Sequence, residues 1–98
     1  MSKVRTVERS PEEARVAWLR FDAYQRLQRE AEERAAAVGV LRDRGADRAR
    51  SIGAVCVLSG VCGRKVLRLL DEGLGTSETR RRVRAVLDTY HRPDLDRA

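Results

Sequence analysis

Aromatic residues are scarce in this chain: Trp18, Phe21, Tyr24 and Tyr90 are all there are. That is a poor supply for a surface that stacks unpaired bases, so a single-strand or RNA-stacking module is not expected. Cysteine occurs only at Cys56 and Cys62, too few for a disulfide framework, and reduced thiols in a cytoplasmic protein are expected. The first residues are charged with no apolar run behind them, so no secretory leader is expected, and no apolar stretch approaches the length of a membrane span. Lysine is nearly absent, at Lys3 and Lys65 alone, so the positive charge is almost entirely arginine.

What is present is an excess of that charge. Twenty-one Lys and Arg oppose 15 Asp and Glu, a formal charge of +6 and a pI near 10.3. This balance favours an anionic partner, either nucleic acid or an acidic protein surface. Arg and Ala richness also accompanies GC-rich coding sequence, so charge alone does not choose between them. Ninety-eight residues suffice for one small domain with an appended helix and a modest core.

Residues 1 to 9 carry no periodic pattern and read as a flexible arm. The "SPEEA" that follows is a helix start: Ser10 as cap, Pro11 at the first helical position, and Glu12 and Glu13 at the positive end. A long amphipathic helix is predicted over 10–44. Ala14, Ala17, Phe21, Tyr24, Gln28, Ala31, Ala35 and Val38 recur in alternating steps of three and four, the spacing of a heptad seam. That stripe either packs on the rest of the domain or pairs with a second copy, with Phe21 and Tyr24 as interface residues. Gly45 is expected to end the helix in a left-handed conformation.

Three further helices are predicted. The first spans about Ser51 to Ser59, capped by Ser51, with Ile52, Val55, Cys56 and Leu58 inward. Gly60 turns the chain and Val61 plugs the core. The next runs from Cys62 or Gly63 to about Asp71, with Val66, Leu69 and Leu70 inward. The last, capped by Thr76 or Ser77, carries Val83, Val86, Leu87 and Tyr90 and stops at Pro93. No segment alternates like a strand. The fold class expected is all-α, a long N-terminal helix plus a three-helix helix-turn-helix unit over 45–93 with a short tail at 94–98.

"SIGAVCVLSGVCGRKVLRLL", followed by "TSETRRRV" and "HRP", resembles the DNA-binding headpiece of the lactose-repressor family. The matching residues are Ile52, Val55, Leu58, Gly60, Val61, Val66, Arg68 and Leu70, then Thr76, Thr79, Arg80, Arg82 and Val83, then Arg92 and Pro93 at the start of that family's hinge. The resemblance covers about Ser51 to Pro93 and implies a double-stranded DNA partner, with contacts from Thr79, Arg80, Arg82 and Arg92. The chain departs from the family at Cys56, where the family has a small Ala. It departs again at Cys62, where the family has a capping Ser, and at Leu67, where it has a polar Ser. The family's effector domain has no counterpart before Ala98, so no effector is expected and the N-terminal helix is the candidate for homodimerisation. "VLRDRG" with "LSGVCGRKVLRLL" also looks like the three-helix DNA-binding unit of transposases and resolvases, though with a longer spacing between Gly45 and Gly60.

The chemistry of these residues agrees with the resemblance. A recognition helix needs long donors at its N-terminal end, and Arg64, Lys65 and Arg68 supply them. An Arg placed there can bond both acceptors of a guanine edge, worth about 1–3 kcal/mol of discrimination. Arg80, Arg81, Arg82 and Arg84 suit phosphate contacts or salt bridges to Glu72, Glu78 or Asp88. Leu67 admits three readings: a contact to thymine methyls, a protein interface, or burial by a slight rotation of the helix. Cys62 at a helix start is a candidate redox thiol, and Cys56 reads as a small buried hydrophobe. Cys56, Cys62 and His91 lack the paired spacing of a metal site. No nucleophile–base set or phosphate loop is present, so no enzyme, cofactor or metal is expected.

The function expected is therefore a sequence-specific double-stranded DNA-binding protein. It would be a transcriptional regulator and homodimer, cytoplasmic and bacterial or phage nucleoid-associated. Two rivals remain: a protein-interaction module that uses the scaffold to bind a transcription factor, and a DNA-binding accessory of a recombinase or phage excision system.

Overall fold

The computed structural model describes residues 10–98, so the expected arm at 1–9 lies outside the described residues. The described chain is all-α. Helix α1 spans Pro11–Arg42, α2 Arg48–Ser59, α3 Gly63–Leu67 and α4 Ser77–Thr89. A π-helical turn, Arg68–Glu72, continues α3, and a 3-10 turn, Pro93–Leu95, follows α4. The chain divides into two units, Met1–Glu30 and Ala31–Ala98, with the boundary inside α1.

The first unit is helix without a core. Ser10 caps α1, its hydroxyl accepting the Glu13 amide at 3.2 Å, and Glu12 and Glu13 occupy the first turn. Val16, Trp18, Leu19, Phe21, Tyr24 and Leu27 are all exposed. The bonds formed there are local: Asp22 to Arg26 at 3.0 Å, and the Gln28 amide donating to the Tyr24 hydroxyl at 2.8 Å.

The second unit, 31–98, has one continuous core. The end of α1 gives Ala37 and Leu41; α2 gives Ile52, Ala54 and Val55; Val61 comes from the turn. Val66, Leu69 and Leu70 come from α3 and its π turn, Val83, Val86 and Leu87 from α4, and Leu95 from the 3-10 turn. Burying each large side chain contributes about 1.5–3 kcal/mol relative to leaving it in water. The face of α1 that enters this core is not the predicted stripe. Ala31 and Ala35 stay exposed and Val38 is half-buried, whereas Ala37 and Leu41 are buried and Val40 packs against them.

Several local expectations are corrected. Gly45 is not left-handed; its amide bonds the Asp43 carboxylate at 2.9 Å, and this turn leads out of α1. Helix α2 starts three residues before Ser51 because Asp47 caps it, accepting the Arg50 amide at 2.7 Å. Ser51 is fully buried inside the first turn and donates to the Asp47 carbonyl at 2.9 Å, the back-bond that keeps a mid-helix serine satisfied. Helix α4 ends before Pro93: His91 takes the left-handed conformation, φ 54°, and the Arg92 amide returns to the Leu87 carbonyl at 2.8 Å. The expected tail at 94–98 is structural instead. Leu95 is buried, and the Arg97 and Ala98 amides both donate to the Leu70 carbonyl, at 2.7 and 2.9 Å.

The π turn was not legible in the sequence. Leu69 and Leu70 are both buried in it, as their spacing from Val66 predicts for a helix. Gly73 then closes it in the left-handed region at φ 71°.

Candidate nucleic-acid interface

The helix-turn-helix is built as its residues suggest. Gly60 ends α2 at φ 70°, a conformation without penalty only for glycine, and its amide bonds the Cys56 carbonyl at 3.0 Å. Val61 drops into the core, and Cys62 is the extended residue before α3. Cys62 contributes no side-chain cap bond, as expected of a thiol standing where serine would cap. The position a Cβ would take on Gly63 is 3.8 Å from the Cys56 Sγ, so Cys56 lies against the start of α3. It is only half-buried; burial pushes its thiol up from the usual value, with a smaller push from the charge of Cys62.

With Val66, Leu69 and Leu70 held inward, the outer face of α3 presents Arg64, Lys65, Leu67 and Arg68 to solvent. Neither Arg64 nor Lys65 enters an ion pair among the described residues. Arg68 meets Glu72 at 3.8 Å with both side chains more than half exposed, a contact worth little in water. Leu67 is 42% exposed. The rotation that would bury it does not occur, which leaves the DNA and protein readings of this residue.

Helix α4 adds a second group. Lys65, Thr76, Thr79 and Arg82 line one groove between the starts of α3 and α4, and Lys65 and Arg68 line a neighbouring one with Thr76 and Thr79. Arg82 reaches over the turn, its Nη1 4.0 Å from where a Gly60 Cβ would stand, and it pairs with Glu78 at 2.8 Å. The other arginines of "TSETRRRV" point elsewhere. Arg80 and Arg81 line a different groove with Arg84, Arg80 donates to the Gly73 carbonyl at 3.1 Å, and Arg84 is bound by Asp96. Arg80 is therefore on a different face from Lys65 and Arg82.

Two residues expected to contact DNA are buried. Thr79 is 8% exposed, and its hydroxyl accepts that of Thr76 at 3.0 Å inside the cap of α4. Arg92 is 4% exposed. Its guanidinium donates to the Leu41 carbonyl at 3.0 Å and, through Nε and Nη2, to both Asp94 oxygens at 3.0 Å. It is a buried strap joining the end of α1 to the C-terminal turn, not a hinge residue. Those bonds to Asp94 hold Arg92 above the usual guanidinium value and the Asp94 carboxyl below the usual carboxylate range.

Sequence reasoning missed Arg48, which ties three elements. Its Nη2 donates to Asp71 at 2.6 Å and to the Leu95 carbonyl at 3.1 Å. No local signal marked it, because both partners are distant in sequence. Among the described residues no helix is long and apolar enough to cross a membrane, and no His, Cys, Asp or Glu cluster suits a metal.

No protein-family model, curated protein or solved structure matches this chain.

Proposed function

We propose that residues 31–98 bind double-stranded DNA by placing α3 in the major groove, and that the protein is a homodimeric transcriptional regulator. One observation carries the reading. Arg64 and Lys65 stand exposed, without acidic partners among the described residues, in the first turn of a helix that follows a left-handed glycine turn. That is the position from which long donors reach base edges. Arg68 lies one turn on, and Lys65 and Arg82 share a groove that a phosphate can approach. In this reading α3 specifies and Arg82 positions.

Titration of the full chain into duplex DNA at two salt concentrations tests this. Affinity should fall steeply with salt, and Arg64→Ala with Arg68→Ala should weaken specific binding by about 1–3 kcal/mol per lost base contact. Arg82→Ala should weaken all duplexes alike and reduce the salt slope by about one. Absence of binding even at ~100 µM in low salt would end the DNA reading.

The exposed Leu67 favours a second reading, in which the same face binds a protein. Leu67→Ser separates the two. It should leave DNA affinity nearly intact if the partner is DNA, and abolish capture of the partner if it is a protein.

A further inference from the structure

We infer that the exposed stripe of α1 is the homodimer interface, and that two copies pair along it antiparallel. This rests on the homodimer reading above and adds its surface and its direction.

The first observation is a run of apolar side chains that nothing among the described residues buries. Between Val16 and Leu27, six large apolar side chains are 48–67% exposed. Trp18 lies beside Phe21 on the same helix, with ring centroids 6.0 Å apart. In proteins most helical stability comes from packing an apolar face rather than from propensity. Trp18, Phe21, Tyr24 and Leu27 alone leave about 500 Å² of side-chain surface in water, a large share of the ~800 Å² per partner in a standard interface. The alanines beside them permit the close approach that would supply the rest.

The second is the placement of that stripe. At 100° per residue, Ala17, Phe21, Tyr24 and Gln28 fall within about 60° of arc on α1, so one partner helix can meet all four.

The third is self-complementarity. Set antiparallel, with Phe21 opposite Tyr24 of the second copy, the same register puts Ala17 opposite Gln28 and Ala14 opposite Ala31. Aromatic bulk then meets aromatic bulk at the centre, and small residues close both ends. On the flank, Glu13 comes beside Arg34 of the second copy, twice by symmetry, an attractive pair. A parallel pair gains no opposite-charge flank contact: Glu13 meets Trp18, Arg20 meets Gln25, and Leu27 meets Glu32. It also stacks Gln28 on Gln28. The sequence therefore favours the antiparallel direction.

The test uses the full chain. Light scattering at ~100 µM, where micromolar association is saturated, should give a dimer. Phe21→Asp should raise the dissociation constant about 30-fold or more while the circular dichroism of the folded chain persists. For direction, Ala14→Cys and Ala31→Cys are made separately in a chain carrying Cys56→Ser and Cys62→Ser. The antiparallel pair predicts oxidative cross-linking only when the two are mixed. A monomeric native chain overturns this proposal together with the homodimer reading. A dimer that survives Phe21→Asp, or that cross-links each cysteine variant to itself and not the mixture, overturns this proposal and leaves the homodimer standing.

Discussion

Between Val16 and Leu27 every large apolar side chain is exposed, whereas between Leu41 and Leu95 only Val57, Leu67 and Leu74 are. The two regions draw on similar residues, and both are helical. What separates them is chain return. Residues 31–98 fold back three times, at Asp43–Asp47, Gly60 and Gly73–Gly75, so each apolar face finds another. Residues 11–30 are a single run of helix with no such turn in it. Burial belongs to topology, and an apolar residue in a helix is a core residue only where the chain comes back to it.

The largest expected effect lies in the core of the compact unit. Leu41 is fully buried on the same helix whose first half buries nothing. Leu41→Ala should cost about 3 kcal/mol, seen as a melting temperature lower by roughly 15 °C for so small a unit. An equal substitution at Leu27, exposed on that helix, should leave the melting transition of the monomer within about 0.5 kcal/mol. If the two substitutions cost the same, the contrast between the regions is wrong.

Arg92→Met should destabilise by about 2 kcal/mol in chemical denaturation, because it leaves the buried Leu41 carbonyl without its charged donor. At temperatures where the variant is folded, its DNA affinity should match that of the native chain, unlike Arg64→Ala with Arg68→Ala. This separates a strap from a contact. The same strap sets an acid dependence. Asp94 is held below its unfolded value, so its stabilisation is complete above about pH 4 and is lost as pH falls through the lowered folded-state value. Asp94→Asn should remove that part of the acid sensitivity in a pH series of denaturation curves.

Thr76→Ala, which removes the hydroxyl that accepts the Thr79 amide at 3.2 Å, should cost about 1 kcal/mol by thermal denaturation. The smallest effect expected among the caps of the compact unit is at Cys62, which donates and accepts no cap bond; Cys62→Ser should be neutral or stabilise by a few tenths of a kcal/mol. A loss of 1 kcal/mol there would show that the thiol packs rather than merely occupies the cap.

Much of the compact unit was legible because its signals are local. Gly60 needs a left-handed turn, Val61 follows it inward, and Val66, Leu69, Leu70, Val83, Val86 and Leu87 recur at helical spacing. Thr76 capped as its position before a helical run suggested. The candidate site was half legible. Arg64, Lys65 and Arg68 stand exposed as expected, while Thr79 and Arg92 were assigned outward by likeness and are buried. Residue type alone pointed outward for Arg92, because arginine is rarely buried unless paired. Asp94 is a local partner, two residues on, but the Leu41 carbonyl becomes one only when the segment after α4 packs beside the end of α1.

The sequence by itself determined helices, turns and their polarity, since 3.6-residue periodicity, caps and glycine conformation act within a few residues. It set the charge and confined the long donors to the outer face of α3. Only the tertiary structure decided which face of α1 is core, that Arg48 and Arg92 are internal ties, and that Leu95 closes the core. Each of those depends on segments more than 20 residues apart coming together, and no local pattern records such a meeting.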